Sequence, residues 1–202
     1  MTRLVSRSLL AFILISLLSF ALDNDYKIVE RIIKDLWNGE AKYENIGGSL
    51  SDKSNSLNEY FDPNNELYTI NNGITTQGIV CLRENHTPPF SNWTGRNKSD
   101  AIYTTNRENT YDAFRYALTL DKNLTVKDLR ILRFRSEYGI EIQSKRWLKQ
   151  FRGYDGSQEL EYGKSIDAVT GATISAKELI SDFQATYSGL RSFYGKISEG
   201  PN

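Results

Sequence analysis

The residues able to carry chemistry are few. The 202-residue chain has one His (His86) and one Cys (Cys81). A single Cys excludes an intramolecular disulfide, a cysteine-rich zinc or iron–sulfur site, a C-x-x-C redox pair and a C-x-x-C-H haem attachment. A Ser-His-Asp triad has only His86 to draw on, and no second His or thiolate pair accompanies it as a metal ligand. Redox or transfer chemistry must therefore rest on carboxylates, hydroxyls or a bound cofactor. One stretch concentrates such groups: residues 166–183 read I-D-A-V-T-G-A-T-I-S-A-K-E-L-I-S-D-F.

In that stretch Ala176, Leu179, Ile180 and Phe183, continued by Tyr187 and Leu190, recur at helical spacing and form one apolar face. Ser175 and Glu178 match an S-x-x-E capping box that would open the helix. Thr170-Gly171-Ala172-Thr173 is then the tight turn entering it. Gly171 is free to take a positive φ, and Ala172 leaves room for an approaching group. Thr173 presents a hydroxyl beside unpaired helix N–H groups, where a phosphate is favoured. Asp167 adds a carboxylate just upstream. The same residues also suit an ordinary capped helix whose threonines bond to local backbone. A dinucleotide site fits poorly, because the glycine triplet and the βαβ alternation are missing.

The elements that must position this turn follow from periodicity. Residues 26–37 place Ile28, Ile32, Ile33, Leu36 and Trp37 on one side of a helix, and Asn38-Gly39 stops it. Residues 41–65 read as polar loop with a turn of helix near Leu57. Residues 67–70 and 74–82 flank Asn71-Asn72-Gly73 as a hairpin. Residues 83–110 are polar, with Pro88-Pro89, with His86 as a solvated loop residue, and with glycosylation sequons at Asn92 and Asn97 of the kind that arise by chance in an Asn- and Ser-rich chain. A second hairpin pairs residues 114–120 with 129–134 across Asp121-Lys122-Asn123. In it Phe114, Tyr116, Leu118 and Leu120 alternate with Arg115, Ala117 and Thr119. Residues 125–128 could alternatively cap a short helix. Glu137-Tyr138-Gly139 ends the strand, residues 144–151 form a short helix or turn with Trp147 and Phe151, and 153–164 are polar loop. The expected fold is α+β: a mostly antiparallel sheet built from hairpins, with an N-terminal and a C-terminal helix.

Lys plus Arg is 25 and Asp plus Glu is 25, so the formal net charge is zero. No uniform positive field is available to track phosphates, and no nucleic-acid partner is expected. The 39% hydrophobic and 12% aromatic content supports one packed core. Arg3 and Arg7 precede an apolar run over residues 9–20, too short to span a bilayer comfortably, and Ala21 supplies a small residue for cleavage. Residues 1–21 are expected to be a signal peptide or an uncleaved anchor. Either way the chain is expected to be exported: periplasmic, or membrane-anchored and facing outside the cytoplasm.

D-A-V-T-G-A-T-I-S at residues 167–175 resembles the flavinylation motif of the FMN-binding domain family, which includes the C subunit of sodium-translocating NADH:quinone reductase and the G subunit of the Rnf complex. The likeness extends through Glu137-Tyr138-Gly139 and the basic, aromatic run 145–153 ending Q-F-R-G, and the first hairpin is similar to the family's opening strands. It covers about residues 66–187. Together with the leader read above, the chain is expected to divide into an N-terminal helix and polar linker (22–65) that match nothing in the family, an FMN-binding domain implied by the resemblance (66–195) and a tail (196–202), with the C-terminal helix following the flavinylation turn.

What the resemblance implies is a covalent FMN, esterified through its phosphate to Thr173 by a flavin transferase with Mg²⁺. Thr173 is then a modified residue and not a catalyst. The cofactor site would include Asp167, Thr170, Gly171, Ala172 and Ser175, with Glu137, Tyr138 and Gly139 facing the flavin. Trp147 would be either core or cofactor contact. Lys145 and Arg146 would either neutralise the phosphate or form a solvated charged face. The expected function is electron relay between redox partners at the membrane or outside the cytoplasm, with FMN supplying the chemistry. The alternatives are a flavin-dependent reductase of an exported substrate and a non-redox binding domain that has kept the fold.

Overall fold

The computed structural model describes residues 25–46, 66–86, 113–135 and 139–198. The leader, the helical turn near Leu57, both sequons, Glu137 and Tyr138 lie outside these residues.

Helix α1 spans 25–37. Its buried side carries Val29, Ile32 and Ile33, with Ile28, Leu36 and Trp37 packed at the margin. The chain leaves it through Asn38 and Gly39, both at positive φ. The Gly39 N–H reaches back to the Ile33 carbonyl at 3.4 Å, the backbone signature of a helix stop.

Five antiparallel strands follow in sheet order: β1 (Lys42–Asn45), β2 (Glu66–Asn71), β3 (Thr76–His86), β4 (Ala113–Asp121) and β5 (Val126–Arg135). Both expected hairpins form. In the first, Asn72 Oδ1 accepts the N–H groups of Ile74 and Thr75, and Asn71 Oδ1 accepts that of Gly73. In the second, Asp121 Oδ1 accepts those of Asn123 and Thr125.

Two local expectations are corrected, and one open alternative is decided. Strand β1 lies in the stretch read as loop; it pairs Lys42 with Asn71 through Asn45 with Tyr68. Its four residues are mostly exposed and carry no apolar run, so only its neighbour β2 specifies it. Strand β3 continues past Leu82, with Glu84 opposite Arg115 and His86 opposite Ala113, so His86 belongs to a paired strand and not to a loop. Residues 126–128 are strand and cap no helix: Val126 pairs with Leu120 and Asp128 with Thr119 on β4, while Val126 also exchanges main-chain bonds with residues 153 and 154, at 2.8 and 2.9 Å.

Beyond β5 come a 3₁₀ turn (Ile140–Gln143), helix α2 (Lys145–Leu148), a second 3₁₀ turn (Lys149–Phe151) and the 26-residue helix α3 (Thr173–Ser198). The sheet separates two apolar layers. On one side Tyr116, Leu118 and Leu120 meet Leu179, Phe183 and Leu190 of α3. On the other, Tyr68, Ile70, Val80 and Ala117 lie beneath α1. Phe151 stands edge-on to Phe183 with ring centroids 4.9 Å apart, and Tyr154 to Tyr187 at 4.8 Å. These contacts bind the irregular segment to α3, the geometry in which aromatic pairs add to plain area burial.

Candidate functional site

The site begins where α3 begins. The first main-chain bond of the helix runs from the Ala176 N–H to the Ala172 carbonyl at 2.8 Å, so Ala172 is the N-cap and Thr173 the first helical residue. This corrects the reading of Ser175 and Glu178 as a capping box: Ser175 is the third helical residue. The cause is packing. Ala172 is 2% exposed and lies in phase with Ala176, Leu179 and Phe183, so burial extends the helix past the serine. The N–H groups of Thr173, Ile174 and Ser175 precede that first bond and have no intrahelical acceptor.

Before the helix, the Ala172 N–H closes a turn onto the Val169 carbonyl at 3.4 Å, with Gly171 at φ 84°. A residue with a Cβ is strained at that φ. A Cβ at Gly171 would also stand 3.1 Å from Glu141 Oε1. Gly171 and Thr173 are exposed, as are Thr170 and Asp167. Ala172 faces the core, so it is Gly171 that borders solvent.

The segment after β5 closes against this turn. Gly139, buried and at φ 84°, lies so close to Ser175 that a Cβ there would meet the serine Oγ at 2.2 Å. Gly139 and Glu141 thus form one wall with Gly171 and Ser175, which lie thirty or more residues later in sequence.

Asp167 is held by its backbone. Its carbonyl accepts from Trp147 Nε1 and its N–H donates to Gln150 Oε1, both at 2.8 Å. Trp147, 6% exposed and 5.5 Å centroid-to-centroid from Phe151, is therefore a core residue that positions the motif. Lys145 and Arg146 are exposed.

Two contributors were not found by sequence reasoning. The loop 161–166 folds back on itself, with the Gly163 N–H on the Ile166 carbonyl at 2.7 Å, and so brings Tyr162 to the turn. The Tyr162 hydroxyl accepts the Val169 N–H at 3.0 Å and lies 3.1 Å from the Val169 carbonyl and 3.4 Å from Thr173 Oγ1. Lys177, one helical turn beyond Thr173, holds its Nζ 5.9 Å from the Tyr162 ring centroid. The other contributor is Glu141. The only signals for either were an aromatic in a polar loop and a carboxylate two residues past Gly139.

The orientation of α3 is set farther along. Arg83 Nε donates to both Asp182 oxygens at 3.0 and 2.9 Å, and the Tyr116 hydroxyl donates to Asp182 Oδ2 at 2.6 Å while meeting Thr186 Oγ1 at 3.0 Å. Burial raises the Tyr116 pKa well above its ordinary value, reinforced by the Asp182 charge. Burial alone would lower the Arg83 pKa, but the Asp182 hydrogen bonds and charge outweigh it and the guanidinium stays charged. Cys81, fully buried nearby, has its thiol pushed up to about 12 by desolvation, so it takes no part in thiolate chemistry. Among the described residues no group of three or more His, Cys, Asp or Glu converges to hold a metal.

A search of curated proteins and one of solved structures each found no match. The family model of the FMN-binding domain matches residues 65–187, which contain every site element described above. That match spans more than half of the chain, and the protein belongs to the FMN-binding domain family and is a flavin-binding protein.

Proposed function

We propose that the chain is an exported flavoprotein carrying FMN through a phosphoester to Thr173, and that it relays electrons between redox partners at the membrane or outside the cytoplasm. The observation that carries this reading is the exposed Thr173 hydroxyl at the first position of α3, beside N–H groups without helical partners and after a turn that needs Gly171. Those donors and the helix dipole suit a phosphate. The Lys177 ammonium stands one turn away as a further cation. The residues present therefore fit the group.

When bound, FMN supplies the capacity to take up one or two electrons. The protein's own residues do the holding. Trp147 and Gln150 pin the backbone at Asp167, Tyr162 ties Val169 to Thr173, and Gly139 lets the segment after β5 seat against Ser175. Thr170 and the Asp167 carboxylate face outward, where a flavin transferase with Mg²⁺ would meet the turn. Export is supported by Arg3, Arg7 and the apolar run over residues 9–20. Among the described residues no helix is long and apolar enough to cross a membrane.

Co-expression with a flavin transferase and Mg²⁺ is expected to give a fluorescent band that survives denaturing electrophoresis and is lost in Thr173→Ala. A band retained in that variant overturns the assignment of Thr173. Intact mass of the natively produced protein is expected to show both leader removal and one FMN adduct.

A further inference from the structure

At the β5 edge of the sheet a cleft of about 550 Å³ opens between α1, β5 and the α2 segment. It contains no residue of the 167–175 motif. Its walls carry five cations: Arg31 from α1, Arg130 from β5, and Lys145, Lys149 and Arg152 from the segment beyond. They carry two carboxylates, Asp35 and Asp128, so the lining is 5 − 2 = +3 in a chain whose formal charge is zero.

Both carboxylates are committed. Asp128, 3% exposed, receives Arg130 on Oδ2 and Arg152 on Oδ1. Arg130 also reaches Asp35 Oδ2 at 2.7 Å. These pairings hold the two guanidiniums in place while leaving each with N–H groups not used by Asp128 or Asp35. Among the described residues no carboxylate pairs with Arg31, Lys145 or Lys149. Between the cations the lining is apolar, with Ile28, Ile32, Leu132 and Leu148. A concave site of net positive charge with low-dielectric walls between the charges focuses its field on an incoming anion. The volume falls in the range of about 300–1,000 Å³ typical of small-molecule sites.

We propose that this cleft binds a compact organic polyanion: two or three carboxylate or phosphate groups on an apolar body, the acids on Arg130, Arg152 and the lysines, the body against the isoleucines and leucines. The site does not depend on the flavin reading, since it shares no residue with the motif.

The test is calorimetric titration of the full chain at low ionic strength with benzene-1,2,4-tricarboxylate as probe, with inorganic phosphate and poly-glutamate as comparators. One saturable site is expected, weakening as salt rises. In Lys145→Glu/Lys149→Glu the affinity is expected to fall about tenfold or more, from the loss and reversal of two exposed charges, with the melting temperature unchanged. Arg31→Gln is expected to weaken binding less. No saturable heat up to millimolar probe overturns the proposal, as does binding undiminished by the double charge reversal. Phosphate binding as tightly as the tricarboxylate removes the apolar body from the site and overturns it as stated. Binding of poly-glutamate alone makes the cleft a protein-docking surface and overturns it likewise.

Discussion

The hydroxyl of Tyr162 lies 3.4 Å from Oγ1 of Thr173 and accepts the Val169 N–H at 3.0 Å. One phenol thus spans both ends of the turn that carries the proposed acceptor. Removing the hydroxyl leaves the ring and its contact with Lys177, but takes away one of the bonds that hold the turn. Tyr162→Phe is expected to slow attachment of FMN by the transferase about 2- to 10-fold, the worth of one net hydrogen bond, while labelling still reaches completion. The check is a time course of in-gel fluorescence beside wild type and Thr173→Ala. An unchanged rate removes Tyr162 from the positioning of the acceptor.

The contact between Arg83 and Asp182 ties α3 to β3 about two and a half turns beyond Thr173, and so fixes which way the start of the helix faces. The side chains are 18% and 12% exposed, so the pair is largely desolvated. Asp182→Ala strands the guanidinium and is expected to cost about 3 kcal/mol, the low end for breaking a buried pair because some solvent reaches it. Tyr116→Phe removes the hydroxyl's bonds to Asp182 and Thr186, leaves the ion pair intact and is expected to cost about 1–2 kcal/mol. Urea denaturation of the two variants checks the ordering. Equal, small losses would show that apolar packing alone orients α3.

How far these relationships could be read in advance depended on the periodicity behind them. Helix α3 and its face from Ala176 to Leu190 were legible because each member is buried at a helical interval. The two hairpins were legible because Asn72 and Asp121 accept main-chain N–H groups at each turn. The start of α3 was misplaced because Ser175 and Glu178 obey a local capping rule that the burial of Ala172 overrides. Strand β1 was missed because Lys42 to Asn45 become a strand only once β2 offers its edge. Before α3, the turn at Gly171 and the place of Thr173 at the mouth of the helix were legible from residue type and spacing. Tyr162 was not: it arrives through a loop closed by Glu161 and Ile166, and no interval in the chain announces that closure. Trp147 could be read as core or contact, and only the bond from its indole to the Asp167 carbonyl shows that its burial and its positioning role are the same fact.

Glu178 gives the fold a pH signature. Half-buried on α3, it has its pKa raised from 4.5 first by desolvation and then by the charge of Asp182 one turn on. A carboxyl raised in the folded state binds its proton more readily there than in the unfolded chain. Its stabilising contribution is therefore fully present below about pH 4.5 and is lost as pH rises through the folded value. At pH 7 the ionised side chain opposes folding, and Glu178→Gln, which keeps the shape without the charge, is expected to melt higher than wild type. The gain is expected to shrink as the pH falls and to vanish near pH 4, where wild-type Glu178 is itself protonated in the folded state. Thermal melts of both proteins from pH 4 to pH 8 check this. A difference that stays constant across the range would assign the effect to packing, and a variant that melts lower at pH 7 would mean that the Glu178 charge is compensated by groups other than Asp182.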